Sequence, residues 1–372
     1  MKCRRFTVTG KISGLIILCI SLDLAPLNAQ ILSDSSSVEL IRRGISDIYN
    51  FRFTDAEKIL DIVNSKYPGH PVTYLYKGMM MYWQNYPLSP DNPKARNFEA
   101  QVHTSMRTVE LKEGWDKDPE KLFIDLCGRA LLLLYYTDND MRNEVIPISL
   151  STYKYIRKAF EFDSQYQELS YFTGIYNYYR EAYPEHHPVY KAVSVFFPHG
   201  DKQKGLTELE YSAENSVILK AEAYIMLSWI NIYYEKKYSD ALNYGRTLYN
   251  LYPDNLYFKG EYIKILLLLK KYEDAEKLIR PQSGEENGYY QGQLAIFNGL
   301  LEEKKYHNYS AAGEYYKKGM DLAEKYGAFG EEFADYGRAG LKRVKDLKEG
   351  KSPERRKKDK DSANIDILSF DE

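Results

Sequence analysis

The sequence predicts an all-α protein built from successive helix pairs, and three observations favour this class. Apolar or amphipathic helical segments alternate with short polar turns along most of the 372 residues. Proline and glycine, at 14 and 23 residues, leave long helical runs uninterrupted. The phrases KKYSDA and KKYEDA recur with Ala241 and Ala275 34 residues apart. Repetition at this interval indicates stacked units rather than one large core.

Each copy of the phrase combines residue types that suit the start of a second helix. An aromatic residue is expected to fill the seam between the helices of a pair, and an acidic residue suits the exposed N–H groups of the second helix. Alanine, and glycine on the first helix, is expected where helices approach closely, whereas proline ends the second helix. The aromatic residues are Phe53, Tyr238, Tyr272 and Tyr309, the acidic residues Asp55, Asp240 and Asp274, the alanines Ala56, Ala241, Ala275 and Ala312, the glycines Gly44, Gly78, Gly128, Gly174 and Gly299, and the prolines Pro68 and Pro253.

These units resemble tetratricopeptide repeats, which are helix–turn–helix motifs of 34 residues. The resemblance is strong over residues 37–70 and 222–287 and fair over 288–323. The middle of the chain departs from it, with a long insertion at 84–97, an extended turn at 136–147 and a long connection at 181–205. The resemblance implies a right-handed α-α superhelix of about seven helix pairs whose concave face forms a groove.

The start of the chain has the three parts of a cleavable signal peptide, residues 1–29. Four basic residues precede the apolar run 12–20, and Ala29 stands before the expected cut. That run is too short to span a membrane. Cys19 raises the alternative of a lipoprotein, but Leu18 stands where a lipobox has a small residue. We therefore expect export to the periplasm or the outer-membrane periphery.

The remaining chain is divided by composition. From residue 348 a basic run is followed by an acidic and apolar end, which predicts a flexible charged tail, with a docking peptide as the alternative. The helix before the tail is expected to cap the stack. The predicted divisions are a linker at 30–36, N-terminal repeats with long insertions at 37–216, C-terminal repeats at 217–323, a capping helix at 324–347 and the tail at 348–372.

Residues that could carry chemistry are few. The net charge of −2 gives no reason to bind nucleic acid. Cys127, left alone after removal of residues 1–29, is expected to be a small buried hydrophobe. His186, His187, His199 and Asp201 were weighed as metal ligands, but their spacing fits a solvated loop better than a defined site. We therefore predict no enzyme activity, no cofactor and no metal.

Tyrosine is the unusual residue, with 36 copies against 15 Phe and 3 Trp. Tyrosine, tryptophan and arginine anchor protein interfaces, so a tyrosine-rich concave groove is expected to hold a peptide or helix of another protein. The predicted function is a non-enzymatic scaffold of the cell envelope, compatible with peripheral association with the outer membrane. The alternatives are a glycan or small-molecule receptor that uses the same groove and, third, an enzyme with a metal site in the 186–201 loop. The predicted groove residues are Tyr82, Trp83, Tyr171, Tyr179, Arg180, Tyr233, Tyr234 and Tyr257.

Overall fold

A computed structural model describes residues 31–162, 166–188, 191, 195–280 and 287–351. Within these ranges every regular element is helical, which confirms the predicted all-α class. None of the helices in these ranges has the length and apolar character needed to cross a bilayer. The predicted signal peptide, residues 1–29, and the tail from residue 352 onward lie outside the described residues.

The described helices from α1 to α14 form seven successive pairs, followed by α15. They are α1 (Ser35–Tyr49), α2 (Phe53–Lys66), α3 (Pro71–Gln84), α4 (Ala95–Glu110), α5 (Pro119–Asp138), α6 (Arg142–Ala159), α7 (Ser170–His186), α8 (Lys202–Asn215), α9 (Lys220–Trp229), α10 (Tyr238–Leu251), α11 (Leu256–Leu268), α12 (Tyr272–Ile279), α13 (Gly288–Lys304), α14 (Tyr309–Ala323) and α15 (Glu331–Lys348). A π-helical turn, Ile230–Tyr234, extends α9, and a 3₁₀ segment, Glu324–Gly330, leads into α15.

Packing follows chain order. Each helix contacts the helix that precedes or follows it, and the first helices of some successive pairs also contact each other, as α1 does α3 and α11 does α13. This arrangement is that of an α-solenoid, in which a single pair cannot bury its own apolar face.

The small residues of the repeated phrase lie where helices meet. All four predicted alanines are fully buried. A methyl group added at Gly44 would lie 2.1 Å from the Tyr76 hydroxyl, and one added at Gly299 would lie 2.7 Å from the ring of Tyr316. Both distances are far below van der Waals contact, which confirms that these positions require glycine for close approach. Pro68 and Pro253 follow directly after the C-caps of α2 and α10, as predicted.

The turns between paired helices share a backbone conformation that the sequence reasoning did not anticipate. In five of the seven described pairs the residue two positions before the second helix has a left-handed φ of 52° to 56°. The pairs α3–α4 and α7–α8 have the long connections instead. None of the five residues is glycine, although glycine adopts this conformation most readily. They are Phe51, Asp140, Lys236, Lys270 and His307.

One local prediction is wrong. Residues 136–147 were expected to form an extended turn, but α5 continues to Asp138 and α6 begins at Arg142. Pro147 lies inside α6, near its start, where it removes only one backbone hydrogen bond. The connection is therefore only residues 139–141, and α6 is a full helix of 18 residues.

Two hydrophobic clusters of buried residues run along the described chain, and they meet at one residue. The first extends from Ile31 to Phe258 and the second from Ile232 to Val344. Tyr86, in the predicted insertion after α3, packs against both. The insertion therefore joins the two halves of the helical array.

Candidate functional site

Two asparagines connect the far ends of the array. Asn255 accepts a hydrogen bond from Phe258 N and so caps α11, while its Nδ2 donates to the Tyr49 carbonyl at 3.1 Å. Asn287 caps α13 in the same way and donates to the Tyr86 carbonyl at 2.9 Å. Each bond joins residues more than 200 positions apart in the chain. The first two helix pairs therefore contact the sixth and seventh directly.

Aromatic rings fill the space between these ends. The Tyr49 centroid lies 5.1 Å from that of Tyr252 and 5.4 Å from that of Phe258. Trp83 contacts Phe258 edge-on at 5.6 Å. Tyr86 packs against Tyr257, Tyr289 and Phe329 at 5.7, 6.1 and 5.3 Å. We call the following set the closing cluster: Tyr49, Trp83, Tyr86, Tyr252, Tyr257 and Phe258.

This closure changes the predicted groove. Tyr82, Trp83 and Tyr171 were expected to line an open concave surface, but they are 1%, 7% and 7% exposed. Tyr257 is half-buried inside the closing cluster. Trp83 is covered by Tyr257 and Phe258 from the other end of the array, whereas Tyr82 packs on Phe98 and donates to Asp138 of the neighbouring helices. In this structure they are core residues, and a ligand has no access to the first three.

Two carboxyl groups accept hydrogen bonds from buried tyrosines at the edge of the closing cluster. The Tyr49 hydroxyl donates to Glu222, and the Tyr82 hydroxyl donates to Asp138 at 2.9 Å. Burial raises the pKa of Glu222 to about 7 and the pKa of Asp138 to about 7. Both groups therefore titrate near neutral pH rather than near pH 4.

The other half of the predicted groove stays accessible. Tyr179, Tyr233 and Tyr234 are half-buried side by side, on α7 and on the π-helical turn. Tyr179 and Tyr234 meet edge to face, with centroids 5.2 Å apart and planes at 85°. The pKa of Tyr233 is raised by burial, with further influence from the charges of Lys264 and Glu261. These rings are therefore partly accessible from the surface, neither fully buried nor projecting into solvent.

A charged network lies near Tyr233. Lys264 is only 4% exposed, and its ammonium lies 2.9 Å from Glu261 and 3.4 Å from Glu332. Glu261 also accepts from Trp229 Nε1 at 3.2 Å, and Glu332 accepts from the Tyr336 hydroxyl at 2.7 Å. Two carboxylates against one ammonium leave one net negative charge. Tyr179, Tyr233, Tyr234, Glu261, Lys264 and Glu332 are called the aromatic band below.

Arg180 lies next to Tyr179 in sequence but has a different role. Its guanidinium donates to the Phe197 carbonyl at 2.9 Å and pairs with Glu181 at 3.4 Å. Its side chain is only 9% exposed. Arg180 therefore holds the 195–200 connection against α7, which the sequence reasoning did not foresee.

The histidines weighed as metal ligands are held by other contacts. The His186 ring packs on Tyr234 at 4.7 Å, and His199 lies 3.6 Å from Glu181. Asp201 caps α8 by accepting from Lys204 N at 2.9 Å, as predicted from the sequence. Across the described ranges no group of three or more His, Cys, Asp or Glu side chains is placed to hold a metal ion.

A depression of about 500 Å³ lies elsewhere, on the outer surface of α1 and α2. Its charges compensate each other, because Arg42 pairs with Glu39 at 3.0 Å and Arg52 with Asp47 at 2.9 Å. It contains no aromatic side chain. We give it less weight than the aromatic band because it offers neither a net charge nor an apolar anchor.

Lys264, Glu261 and Glu332 were missed from the sequence. A signal was present, since Lys264 interrupts the apolar run of α11 and Glu261 precedes it by three residues. A lone lysine in an apolar helix implies a buried partner of opposite charge. In comparisons with protein families, curated proteins and solved structures, no match to this chain was found.

Proposed function

We propose that this chain is a non-enzymatic binding protein of the cell envelope that holds a segment of another protein against the aromatic band. The array is proposed to be a right-handed superhelix of tetratricopeptide type, exported by the signal peptide at residues 1–29. The observation that carries the proposal is the aromatic band itself. In it, three half-buried tyrosines lie near the ion network of Lys264, outside the closing cluster.

The chemistry of the band indicates what kind of segment it holds. Its one net negative charge favours a cationic residue, and the side chain of Glu332 is 44% exposed and so available to pair with it. The tyrosine rings add apolar area and cation–π attraction at low entropy cost. A partner segment with lysine or arginine beside an apolar residue fits this surface.

Ring geometry favours a peptide over the glycan alternative. The edge of one tyrosine covers the face of the next in the Tyr179–Tyr234 pair. A sugar ring stacks on an exposed aromatic face, and this arrangement presents mainly edges. The π-helical turn that carries Tyr233 and Tyr234 also supports a binding role, because such turns occur frequently at functional sites.

The chain's one described thiol does not suit nucleophilic catalysis. Cys127 is 4% exposed, and burial, with the charges of Glu168 and Glu222, raises its pKa well above the ordinary value. The reactive form of cysteine is the thiolate, which this environment disfavours. The proposal therefore assigns binding rather than catalysis.

Selection from a random peptide library tests the proposal. Peptides selected on the purified chain should be enriched in lysine or arginine next to apolar residues. They should bind at least about tenfold more weakly to Glu332→Gln and to Tyr233→Ala than to the unaltered chain. Glu332→Gln removes the charge but keeps an acceptor for Tyr336, so its fold should be intact.

Tyr315→Ala is the matched control, because Tyr315 is an exposed tyrosine on α14 outside the band. Urea midpoints of all variants separate loss of binding from loss of fold. Equal affinity for the band variants and the control would contradict the proposal. Binding on a glycan array that Tyr233→Ala abolishes would favour the glycan alternative.

A further inference from the structure

An apolar stripe on α6 is exposed although α6 is a full helix of the array. Ile146 and Leu150 are 62% and 68% exposed. They are four residues apart, and Tyr153 follows three residues after Leu150, so all three share one face of the helix. The buried residues of α6 are Thr152 and Ala159. Nothing in the described part of the chain covers the stripe.

A turn after α7 extends this apolar surface. Val195 and Phe196 are 73% and 82% exposed, and the neighbouring Phe197 ring contacts Tyr153 edge-on at 5.0 Å. Arg180 donates to the Phe197 carbonyl, and the Tyr176 hydroxyl donates to the Pro198 carbonyl at 2.7 Å. These bonds fix the turn to α7, so its exposed side chains are held in place beside α6.

Cationic residues stand at both ends of the stripe. Arg142 lies one turn before Ile146, and Arg157 lies one turn after Tyr153, on the same face. Arg142 pairs with Asp140 at 2.8 Å. Arg157 and the adjacent Lys154 are exposed, and in the described ranges no carboxylate lies within ion-pair distance of either. The surface thus runs from the Arg142–Asp140 ion pair through the apolar stripe to the cations Lys154 and Arg157, along about 22 Å of helix.

We propose that residues 366–372 of the same chain, Asp-Ile-Leu-Ser-Phe-Asp-Glu, dock on this α6 surface. This segment carries the complementary pattern, with Asp366 at one end, Asp371 and Glu372 at the other, and Ile367, Leu368 and Phe370 between them. Seven residues in extended conformation span about 20 Å, close to the distance from Arg142 to Arg157. Length therefore matches along the whole segment, and the acidic residues Asp371 and Glu372 match the cationic end at Arg157.

The attachment of this segment to the chain favours it over an external ligand. It belongs to residues 352–372, which begin one residue after the end of the described structure. A tethered segment meets a surface of its own molecule at an effective concentration in the millimolar range. A weak contact of a few apolar side chains and two or three ion pairs is then sufficient for occupancy.

Site-specific photocross-linking in the full-length chain tests this docking. Benzoylphenylalanine at position 150 replaces an exposed leucine, so the fold should tolerate it. We expect the main cross-linked product to join position 150 to the peptide that contains residues 366–372. A mixture of isotopically light and heavy chains should give only products within one molecule. The matched control is benzoylphenylalanine at position 62, where Ile62 is 49% exposed on α2 and should not link to the tail.

Charge exchange supplies the second arm. Arg157→Glu should reduce the cross-link yield at least fivefold, and Asp371→Lys with Glu372→Lys in the same chain should restore it. Absence of a tail product, or equal yields from positions 150 and 62, would overturn the proposal. Products that join light to heavy chains would overturn it in favour of self-association. A yield that is unchanged by charge exchange, together with Arg157-dependent binding to phosphatidylglycerol vesicles, would overturn it in favour of a lipid surface.

Discussion

The closing cluster and the aromatic band are built from the same residue type but differ in accessibility. Trp83 and Tyr49 are buried, at 7% and 0% exposed, because α11 returns to cover them. Tyr179 and Tyr233, on the same predicted face of the array, remain half-buried beside a charged network. Position relative to the returning end of the chain thus decides whether a tyrosine is core or surface.

The comparison also shows how the array closes. In an open solenoid each pair contacts only its neighbours, and concave residues stay accessible. Here Asn255 and Asn287 make the same double contact 32 residues apart, each capping a first helix and reaching back to an early backbone carbonyl. The closing contact of a capping asparagine therefore recurs in two successive helix pairs.

The largest expected effect is loss of a ring from the closing cluster. Trp83→Ala should lower the free energy of unfolding by about 3–5 kcal/mol, because it leaves a cavity among Tyr49, Tyr257 and Phe258. Tyr315→Ala, at an exposed ring, should cost about 0.5 kcal/mol or less. Urea unfolding measures both, and equal costs would show that Trp83 is not buried in this cluster.

A second prediction concerns pH. Glu222 and Asp138 have folded-state pKa values of about 7, above the ordinary 4.5 and 3.8, so the folded state holds two protons that the unfolded state has released. Stability should therefore fall as pH rises from about 4 to 7. Glu222→Gln with Asp138→Asn should remove this loss, which is up to about 3 kcal/mol for Glu222 and up to about 4 kcal/mol for Asp138.

Glu303, in the second half of the array, provides the opposite control. Burial disfavours its ionisation, but hydrogen bonds from Arg343 and the cationic charge outweigh burial and lower its pKa. Its contribution is present above the ordinary pKa and is lost as pH falls through the folded value. Glu303→Gln should therefore destabilise the protein at neutral pH. If the free energy of unfolding changes equally between pH 5 and pH 7.5 in the wild type and in the Glu222→Gln/Asp138→Asn variant, the raised pKa values of Glu222 and Asp138 are contradicted.

A third and smaller effect isolates one closing hydrogen bond. Asn255→Asp keeps the acceptor that caps α11 but removes the donor to the Tyr49 carbonyl, at an expected cost of about 1–2 kcal/mol. Asn255→Ala loses both and should cost more. Asn308→Ala loses only an exposed cap of α14, at about 1 kcal/mol. Thermal or urea unfolding in which Asn255→Asp costs nothing, and Asn255→Ala costs no more than Asn308→Ala, would show that the bond to Tyr49 contributes nothing.

Much of the local structure could be predicted from the sequence. A methyl group added at Gly44 would collide with Tyr76, and Ala241 is fully buried, so the small residues of the sequence mark these helix contacts directly. Helix ends at Pro68 and Pro253 follow from the missing N–H of proline. By contrast, Lys236 and Lys270 have a left-handed backbone conformation, which could not be predicted because lysine rarely adopts it.

Closure could not be predicted because it depends on summed geometry. The small rotation between successive helix pairs determines whether the sixth pair contacts the first. This rotation cannot be predicted from the sequence repeat. The insertion at 84–97 looked like a departure from the repeat, yet it supplies Tyr86, which contacts both hydrophobic clusters. The groove was therefore predicted as one open surface, although half of it is core.

A double-mutant cycle between Trp83 and Phe258 tests closure most directly. These residues belong to the second and sixth helix pairs, and their rings meet edge to face at 5.6 Å. Urea unfolding of Trp83→Leu, Phe258→Leu and the double variant gives the interaction energy of the pair. The structure predicts a coupling of about 0.5–1.5 kcal/mol. Additive effects, with a coupling below about 0.3 kcal/mol, would mean that the two ends do not touch and that the predicted groove is open along its whole length.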